Sequence, residues 1–250
     1  MKSKENISDR KKYMSNAYSK FWINVREKKG FQKYDKNLVR YIIKNLGSGG
    51  RLLEVAIGTG YPFADYFQKK GYDVYGIDIS PLLVEKCKKI NPNINCTVSD
   101  AERLPYKDNY FDATYCFHST WYFPDLIKVI SEMIRVTVPK GLVIFDIMNL
   151  NNRIIYKNYH KNLNRYNYRY LYYPVHFFKN IIKIILNYKG ISWKILVYST
   201  PTKPEDIINF LNEKKISYKI FVRREDESIE FQNKISSFEN YFKVVFAISK

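Results

Sequence analysis

The segment Leu52-Leu53-Glu54-Val55-Ala56-Ile57-Gly58-Thr59-Gly60 decides the fold of this chain of 250 residues. Its apolar first half predicts a buried strand, and the glycines that follow predict a sharp turn. Pro62 then stands where the first turn of a helix would begin, ahead of residues 63–70. Glycines at such a turn let the backbone approach a ligand closely, and the next helix presents free N–H groups. The segment therefore predicts a strand, a glycine turn and a helix that together frame a ligand site.

Six further strands alternate with helices along the chain. The strands are predicted at residues 73–79, 95–98, 111–117, 142–148, 217–223 and 241–249. The helices are predicted at residues 13–27, 35–46, 81–89, 124–137 and 203–215. Strands that alternate with short helices build βαβ units around a parallel sheet. The expected fold class is therefore α/β, with helices on both faces of the sheet.

The alternation stops after Met148, and we interpret residues 150–190 as a basic, Tyr-rich insertion that serves as a lid. This stretch holds eight Lys and Arg, no acidic residue, and seven tyrosines between Tyr156 and Tyr173. The other expected divisions are a helical cap (residues 1–50), the ligand-binding core (51–149) and the C-terminal part of the same α/β domain (191–250). Ligands bind beyond the carboxyl ends of strands in open α/β sheets, so an insertion leaving such an end is placed over the site.

Basic residues are unevenly distributed. The chain has 42 Lys and Arg against 24 Asp and Glu, a formal net charge of +18. Residues 51–149 hold 11 basic and 12 acidic side chains, whereas residues 1–50 hold 13 and four. Two explanations stay open: a genomic bias toward Lys, Asn, Ile and Tyr, and an anionic partner that meets the basic segments.

Cysteine usage and hydropathy indicate a cytoplasmic protein. Cys87, Cys96 and Cys116 show no C-x-x-C spacing, which excludes a disulfide-rich scaffold and a cysteine-based zinc site. The first residues lack the apolar run of a secretory signal. The most apolar stretch, residues 177–186, contains two lysines and an asparagine and is too short to span a membrane.

Asp78 lies near the end of the second predicted strand, eighteen residues after Gly60. A carboxylate at this point can accept hydrogen bonds from both hydroxyl groups of a ribose. A nicotinamide dinucleotide site would require the pattern G-x-G-x-x-G, but Phe63 stands at the third glycine position. The sequence thus argues against a dinucleotide and keeps a ribose-containing ligand.

At these positions the chain resembles the class I S-adenosylmethionine-dependent methyltransferases, in the branch that includes ubiquinone and menaquinone biosynthesis enzymes. Four ordered motifs within residues 51–149 carry the resemblance: Glu54 to Gly60, Gly76-Ile77-Asp78-Ile79-Ser80, Ser99-Asp100-Ala101-Glu102-Arg103-Leu104-Pro105-Tyr106, and Phe111-Asp112 running into Cys116-Phe117-His118. The resemblance implies a Rossmann-like sheet of seven strands whose last strand is antiparallel. It also implies S-adenosyl-L-methionine as cofactor and S-adenosyl-L-homocysteine as product.

The resemblance further assigns residues to the methionine part of the cofactor. The turn with Ala56, Gly58 and Gly60 would face this part, and Glu54 would hold the turn in place. The carbonyl of Phe117 would meet the methionine ammonium group. Ala56 departs from the family pattern, in which many relatives have glycine.

The nucleoside part is assigned in the same way. Asp78 would bind the ribose hydroxyls, and Ile79 would pack on the adenine. Asp100 would accept from the adenine amino group, while the N–H of Ala101 donates to the ring. Glu102 belongs to the same motif and is included among the cofactor-binding residues.

His118 follows the fourth strand, beside the expected position of the methyl group, and is the candidate catalytic residue. Transfer from a sulfonium is an in-line displacement, so positioning of the acceptor can supply most of the acceleration. For a hydroxyl acceptor His118 could act as general base; the alternative is a histidine that only packs or hydrogen-bonds in its loop. His160 and His176 have weaker claims. No His, Asp and Glu cluster has ligand spacing, so no metal is expected.

Aromatic residues near the motifs are candidates for the acceptor pocket. Trp121 and Tyr122 come shortly after His118. On the N-terminal helix, Tyr13 is a candidate for the cofactor, and Tyr18 and Trp22 for the acceptor. An aromatic stripe at helical spacing is more often packing, so that interpretation stays open.

The insertion offers two further possibilities. Residues 175–188 predict an amphipathic helix, which we favour as a lid because a helix needs its apolar face covered to stay folded. A peripheral membrane contact through Val175–Tyr188 is the alternative. Upstream, basic residues interleaved with tyrosines could hold phosphates and stack on bases. These are Arg153, Lys157, Lys161, Arg165 and Arg169.

The expected function is methyl transfer from S-adenosylmethionine to a small-molecule acceptor. An anionic acceptor would explain the basic segments without an RNA-binding module. A sugar nucleotide, a glycan precursor, or an isoprenoid or polyketide intermediate would qualify. Two other classes stay open. One is an RNA methyltransferase that uses the basic insertion, and the other is a non-catalytic cofactor-binding protein.

Overall fold

The computed structural model describes residues 14, 15, 23, 30–157, 201–232, 238 and 240–250. The predicted helix at 175–188 and most of the helix at 13–27 lie outside these residues. So do several candidate side chains, namely Tyr13, Tyr18, Trp22, His160, Lys161, Arg165, Arg169 and His176.

Five helices and eight strands are described. The helices are α1 (Lys33–Leu46), α2 (Phe63–Lys69), α3 (Pro81–Ile90), α4 (Leu126–Val136) and α5 (Pro204–Glu213), and a 3-10 turn covers Thr120–Tyr122. The strands are β1 (Arg51–Val55), β2 (Asp73–Asp78), β3 (Asn95–Val98), β4 (Phe111–Cys116), β5 (Thr137–Met148), β6 (Tyr218–Arg223), β7 (Ile229–Gln232) and β8 (Lys243–Ser249).

All eight strands form one sheet in the order β3-β2-β1-β4-β5-β8-β6-β7. The first five strands are parallel, and β8 runs antiparallel to both of its neighbours, β5 and β6. The α/β class, the mostly parallel sheet and the antiparallel last strand are thereby confirmed.

The predicted count of seven strands was wrong by one, because β7 adds an eighth at the edge. It pairs antiparallel with β6 alone, through a short hairpin in which the Asp226 carboxylate accepts from the Ser228 backbone N–H at 3.0 Å. Its four residues, Ile-Glu-Phe-Gln, are at best half-buried. A strand this short and this exposed is stabilised by its pairing with β6. Its own sequence has too little periodicity to predict a strand.

The helices cover both faces of the sheet with apolar side chains. On one face α1, α2 and α3 bury residues such as Leu38, Phe67 and Val84. On the other face α4 and α5 bury residues such as Ile130 and Leu211. No helix among the described ranges has the length and apolar character needed to cross a membrane.

The ends of the region that precedes α5 meet at the sheet. Asn149, directly after β5, forms a β-bridge with Thr202. The backbone N–H of Thr202 donates to the Met148 carbonyl at 3.0 Å, and the Leu150 N–H donates to the Thr202 carbonyl at 3.0 Å. The chain therefore leaves the sheet and returns to it at one place, beside the carboxyl end of β5.

Gly76 lets the turn after β1 pack against β2. A Cβ atom at Gly76 would lie 2.1 Å from Cδ1 and 2.8 Å from Cβ of Ile57. Gly76→Ala is expected to lower the free energy of unfolding by about 1–3 kcal/mol through overpacking. Ile57→Ala should cost less in the Gly76→Ala background than in the wild type, because it removes Cδ1, the atom that clashes most closely. Urea unfolding of the four proteins of this cycle measures the coupling, and strictly additive effects would contradict the contact.

Candidate functional site

A cavity opens at the carboxyl ends of the parallel strands. Its lining includes six of the residues that the sequence analysis assigned to the cofactor or the acceptor: Ala56, Asp78, Ile79, Asp100, Ala101 and Tyr122. They follow or end four different strands, β1, β2, β3 and β4. The sequence motifs are far apart along the chain but converge on one cavity. Ser99, Ser119 and Phe123 also line it and were not predicted.

The glycine turn after β1 is built on left-handed backbone. Gly58 has φ of +60° and Gly60 has φ of +80°. A Cβ on Gly60 would also lie 3.0 Å from the Cys87 sulfur, a tight contact that adds to the conformational reason for glycine at this position. Ala56 has φ of +62°, an uncommon conformation for a residue with a Cβ. The backbone after β1 thus bends away from the sheet at its first residue and leaves room for the cavity.

Asp78 links this turn to the end of β2. Its Oδ2 accepts from the Gly58 backbone N–H and its Oδ1 from the Ser80 backbone N–H, each at 2.9 Å. A carboxylate has about four lone-pair sites, so Asp78 can accept a further hydrogen bond beside those from the backbone, and the residue borders the cavity. Burial raises the pKa of Asp78 to about 6, although the backbone N–H groups of Ser80, Gly58 and Ile79 oppose this rise.

Two other acidic residues of the motifs hold the loops that carry them. The Oδ1 of Asp100 accepts from the Glu102 backbone N–H at 3.0 Å, which fixes the turn after β3. Glu54 lies under the glycine turn, is 4% exposed, and its Oε2 accepts from the Tyr115 hydroxyl of β4 at 3.1 Å. Glu54 is outside the cavity lining, a position that suits a supporting role beneath the turn.

Next to the cavity lies a group of five polar and charged side chains, which we call the Asp146 cluster: Tyr34, Asp35, His118, Asp146 and Lys243. The His118 Nε2 lies 2.6 Å from Oδ1 of Asp35, and the Lys243 Nζ lies 2.5 Å from Nδ1 of His118. The Lys243 Nζ also donates to Oδ2 of Asp146 at 2.5 Å, and the Tyr34 hydroxyl donates to the same oxygen at 3.2 Å. The cluster joins α1, the loop after β4, β5 and β8.

Asp146 is buried beside a cation. Burial would raise the pKa of Asp146, but the nearby Lys243 and the hydrogen bond from the His118 backbone N–H outweigh it and hold the pKa below its ordinary value. Burial lowers the pKa of Lys243, against the attraction of Asp146 and Asp35. The Lys243 ammonium also lies 4.8 Å from the ring centroid of Trp121 and 5.2 Å from that of Tyr34.

The candidates that follow β4 are divided between the cavity and the Asp146 cluster. Tyr122 borders the cavity, whereas the buried Trp121 contacts Lys243. The His118 ring points to Asp35 and Lys243 and is outside the cavity lining. Phe117 is buried and packs against Phe63 at a centroid distance of 5.1 Å.

Asp35, Asp146 and Lys243 were not among the residues predicted from the sequence. One signal was present: Asp146 is the single carboxylate in the apolar run Val143-Ile144-Phe145-Asp146-Ile147, and an acidic residue in a buried strand needs a partner. Its partner, Lys243, could not be identified from sequence, because 97 residues separate the two. Among the residues described here, no group of three or more His, Cys, Asp and Glu side chains could hold a metal ion.

Comparisons with known proteins agree with this geometry. Residues 53–145 match the family model described as "Methyltransferase domain". The chain is 34% identical over 110 residues to demethylmenaquinone methyltransferase of Renibacterium salmoninarum, covering 42% of this chain and 45% of that protein. It is 27% identical over 99 residues to malonyl-[acyl-carrier protein] O-methyltransferase of Halorhodospira halophila, covering 38% and 34%. The match thus spans less than half the length of these curated relatives.

The fold is shared over almost the whole chain with a solved structure. A SAM-dependent methyltransferase of Thermotoga maritima, described as a possible histamine N-methyltransferase, superimposes with a TM-score of 0.59 at 17% identity. The alignment covers 96% of this chain and 97% of that one. The sheet order and the motifs that converge on the cavity agree with both findings: residues 53–145 match a methyltransferase domain, within a fold that the chain shares with a SAM-dependent methyltransferase.

Proposed function

We propose that this protein transfers the methyl group of S-adenosylmethionine to a small-molecule acceptor. The observation that carries the proposal is the convergence of Ala56, Asp78 and Asp100 on one cavity at the carboxyl ends of β1, β2 and β3. A glycine turn, a carboxylate with free acceptor capacity and an adjacent apolar side chain suit a ligand with a ribose and a base. The cofactor would supply an electrophilic methyl group when bound.

The residues of the chain would act mainly by binding and orientation. We assign the ribose hydroxyls to Asp78, the adenine to Ile79, Asp100 and the Ala101 N–H, and the methionine end to the turn of Ala56. Tyr122 borders the same cavity and is our candidate for the acceptor side. Holding an acceptor in line with the methyl group can account for most of the acceleration of such a displacement.

For His118 the contacts favour a structural role over that of a base. A lysine ammonium can only donate, so Nδ1 of His118 accepts from Lys243 and Nε2 carries the proton toward Asp35. Both ring nitrogens are then engaged within the Asp146 cluster. We propose that His118 holds the loop after β4 together and takes no proton from the acceptor.

The acceptor is left open by the relatives, whose names specify a demethylmenaquinone and a malonyl-acyl carrier protein. Our proposal is an anionic small molecule, supported by the basic segments of the sequence. An RNA acceptor, a membrane contact through Val175–Tyr188 and a purely cofactor-binding protein are the alternatives. A cytoplasmic location is proposed on cysteine usage, because Cys87, Cys96 and Cys116 are free thiols.

Label transfer tests the proposed activity directly. The protein is incubated with methyl-labelled S-adenosylmethionine and a host extract, which is then separated into metabolite, lipid, RNA and protein fractions. We expect label in the metabolite or lipid fraction, and none with Asp78→Ala. Label in nuclease-sensitive material would instead favour an RNA acceptor. Binding of the cofactor without transfer to any fraction would favour a non-catalytic protein.

The raised pKa of Asp78 predicts a pH-dependent cofactor affinity. A carboxylate that accepts from ribose hydroxyls must be ionised, so the affinity should fall by up to tenfold per pH unit below about pH 6. Calorimetric titration with S-adenosylmethionine between pH 5 and 8 measures this dependence. Asp78→Ala should bind weakly throughout, with no step near pH 6. Equal affinity of Asp78→Ala and wild type would refute the ribose assignment.

The ligand-free protein should respond to pH in the opposite direction. The pKa of Asp78 is higher in the folded chain, at about 6, than its ordinary value of 3.8. The stability contribution of protonated Asp78 is therefore present below its unfolded pKa and lost as the pH rises through about 6. Comparing urea unfolding of wild type and Asp78→Ala across this range isolates the contribution of Asp78.

His118→Asn separates the two roles of the histidine. Asparagine tolerates the left-handed backbone of this residue, φ +59°, and keeps one donor and one acceptor, but it cannot serve as a base. We expect methyl transfer by His118→Asn to stay within about tenfold of wild type. Loss of the general base would lower kcat by about 10²–10⁴-fold. A loss of that size in a folded variant that still binds the cofactor would restore the base assignment.

A further inference from the structure

We propose that Asp146, held by Lys243, is a positioning residue that shapes the cofactor cavity through the loop after β4. The inference rests on the proposed function, because it concerns the same cavity. Asp146 itself does not line that cavity; it acts on the loop residues 117–122, of which Ser119 and Tyr122 do.

Asp146 holds this loop at two points. Its Oδ1 accepts from the His118 backbone N–H at 2.8 Å, and its own backbone carbonyl accepts from the Thr120 hydroxyl at 2.5 Å. The Thr120 contact is buried and the His118 contact is partly buried; Asp146 itself is 0% and Thr120 2% exposed. Ser119, which borders the cavity, lies between the two held residues. Its place is thus set from below by one strand residue.

The backbone of the loop needs such a constraint. His118 has φ of +59°, a conformation that a residue with a Cβ adopts only when its surroundings require it. The Asp146 carboxylate, which accepts from the His118 N–H, stabilises this conformation. A hydrogen bond from a backbone N–H to an ionised carboxylate is stronger than one to a neutral acceptor.

Lys243 makes it possible to keep this carboxylate ionised in the core. Its Nζ lies 2.5 Å from Oδ2 of Asp146, the oxygen that does not hold the loop. The Tyr34 hydroxyl donates to the same oxygen, and Asp35 and Arg223 are the further charged groups that act on Lys243. Oδ1 is thereby left for the His118 N–H. Oδ2 of Asp146 pairs with the Lys243 charge, and Oδ1 positions the loop. Substitutions can therefore remove the charge pair while keeping an acceptor for the loop.

Two double variants make this separation. Asp146→Asn/Lys243→Met and Asp146→Leu/Lys243→Met both remove the buried charge pair, and Asn and Leu are of similar size. Only Asn retains an oxygen that can accept from the His118 N–H. Their affinities for S-adenosylmethionine are measured calorimetrically at a temperature where thermal unfolding shows both to be folded. We expect the Leu variant to bind at least tenfold more weakly than the Asn variant.

Equal affinities of the two folded variants would overturn the positioning role, even if their melting temperatures differ. Should either variant fail to fold, Thr120→Val decides the question, because it removes the second contact of Asp146 without touching a charge. We expect it to weaken cofactor binding at least threefold, and an unchanged affinity would overturn the inference. If the wild type does not bind S-adenosylmethionine, both the proposed function and the positioning role of Asp146 fail. If the wild type binds and only the variant comparison fails, the proposed function stands.

Discussion

The hydrogen bond from the Gly58 backbone N–H to the Asp78 carboxylate is the contact on which the site depends. It is 2.9 Å long and joins the turn after β1 to the end of β2. This bond requires the backbone to turn directly after β1, and Ala56 and Gly58 make that turn with positive φ. It also requires β2 to pair with β1 in the observed register. Because the same carboxylate borders the cavity, the residue that closes the turn is also the one offered to a ligand.

Asp78 and Asp146 are both buried carboxylates, but they are stabilised in different ways. The difference corresponds to their positions, because Asp78 lines the cavity and Asp146 does not. Within the described part of the chain, Asp78 is held by backbone N–H groups, and burial raises its pKa to about 6. Asp146 is held by Lys243, Tyr34 and the His118 N–H, and its pKa lies below the ordinary value. A carboxylate without a cationic partner gains from a ligand that donates to it. A carboxylate that is already neutralised gains little and serves the structure.

Local patterns in the sequence were sufficient for most of the fold. Apolar runs, glycine turns and helix periodicity give seven strands and the order of elements, because each signal lies within about ten residues. The edge strand β7 was not predicted, because its strand conformation depends on pairing with β6 rather than on a pattern in its own residues. The residues that we propose for the cofactor could be named for the same reason as the fold, because each lies in a short motif at a strand end.

The role of His118 could not be predicted from local patterns. Its ring is directed by Asp35 and Lys243, which lie 83 and 125 residues away in the sequence. Lys243 stands opposite Met148 in the antiparallel pairing of β5 and β8, and only this register brings it beside Asp146 and His118. A histidine after β4 is compatible with a base and with a structural hydrogen bond, and the distant partners favour the second.

The place of the cavity follows from the strand order. In the sheet β3-β2-β1-β4-β5, the chain leaves β1 toward α2 on one face and leaves β4 toward α4 on the other. The two loops therefore diverge between neighbouring strands, and a crevice opens where the order reverses. Ala56 and His118 lie in these two loops, and both have left-handed backbone. The strained residues thus stand where the chain must turn away most sharply, and Asp78 and Asp146 hold the two turns from the adjoining strands. Strain, buried charge and cavity have one origin, the divergence of the chain after β1 and β4.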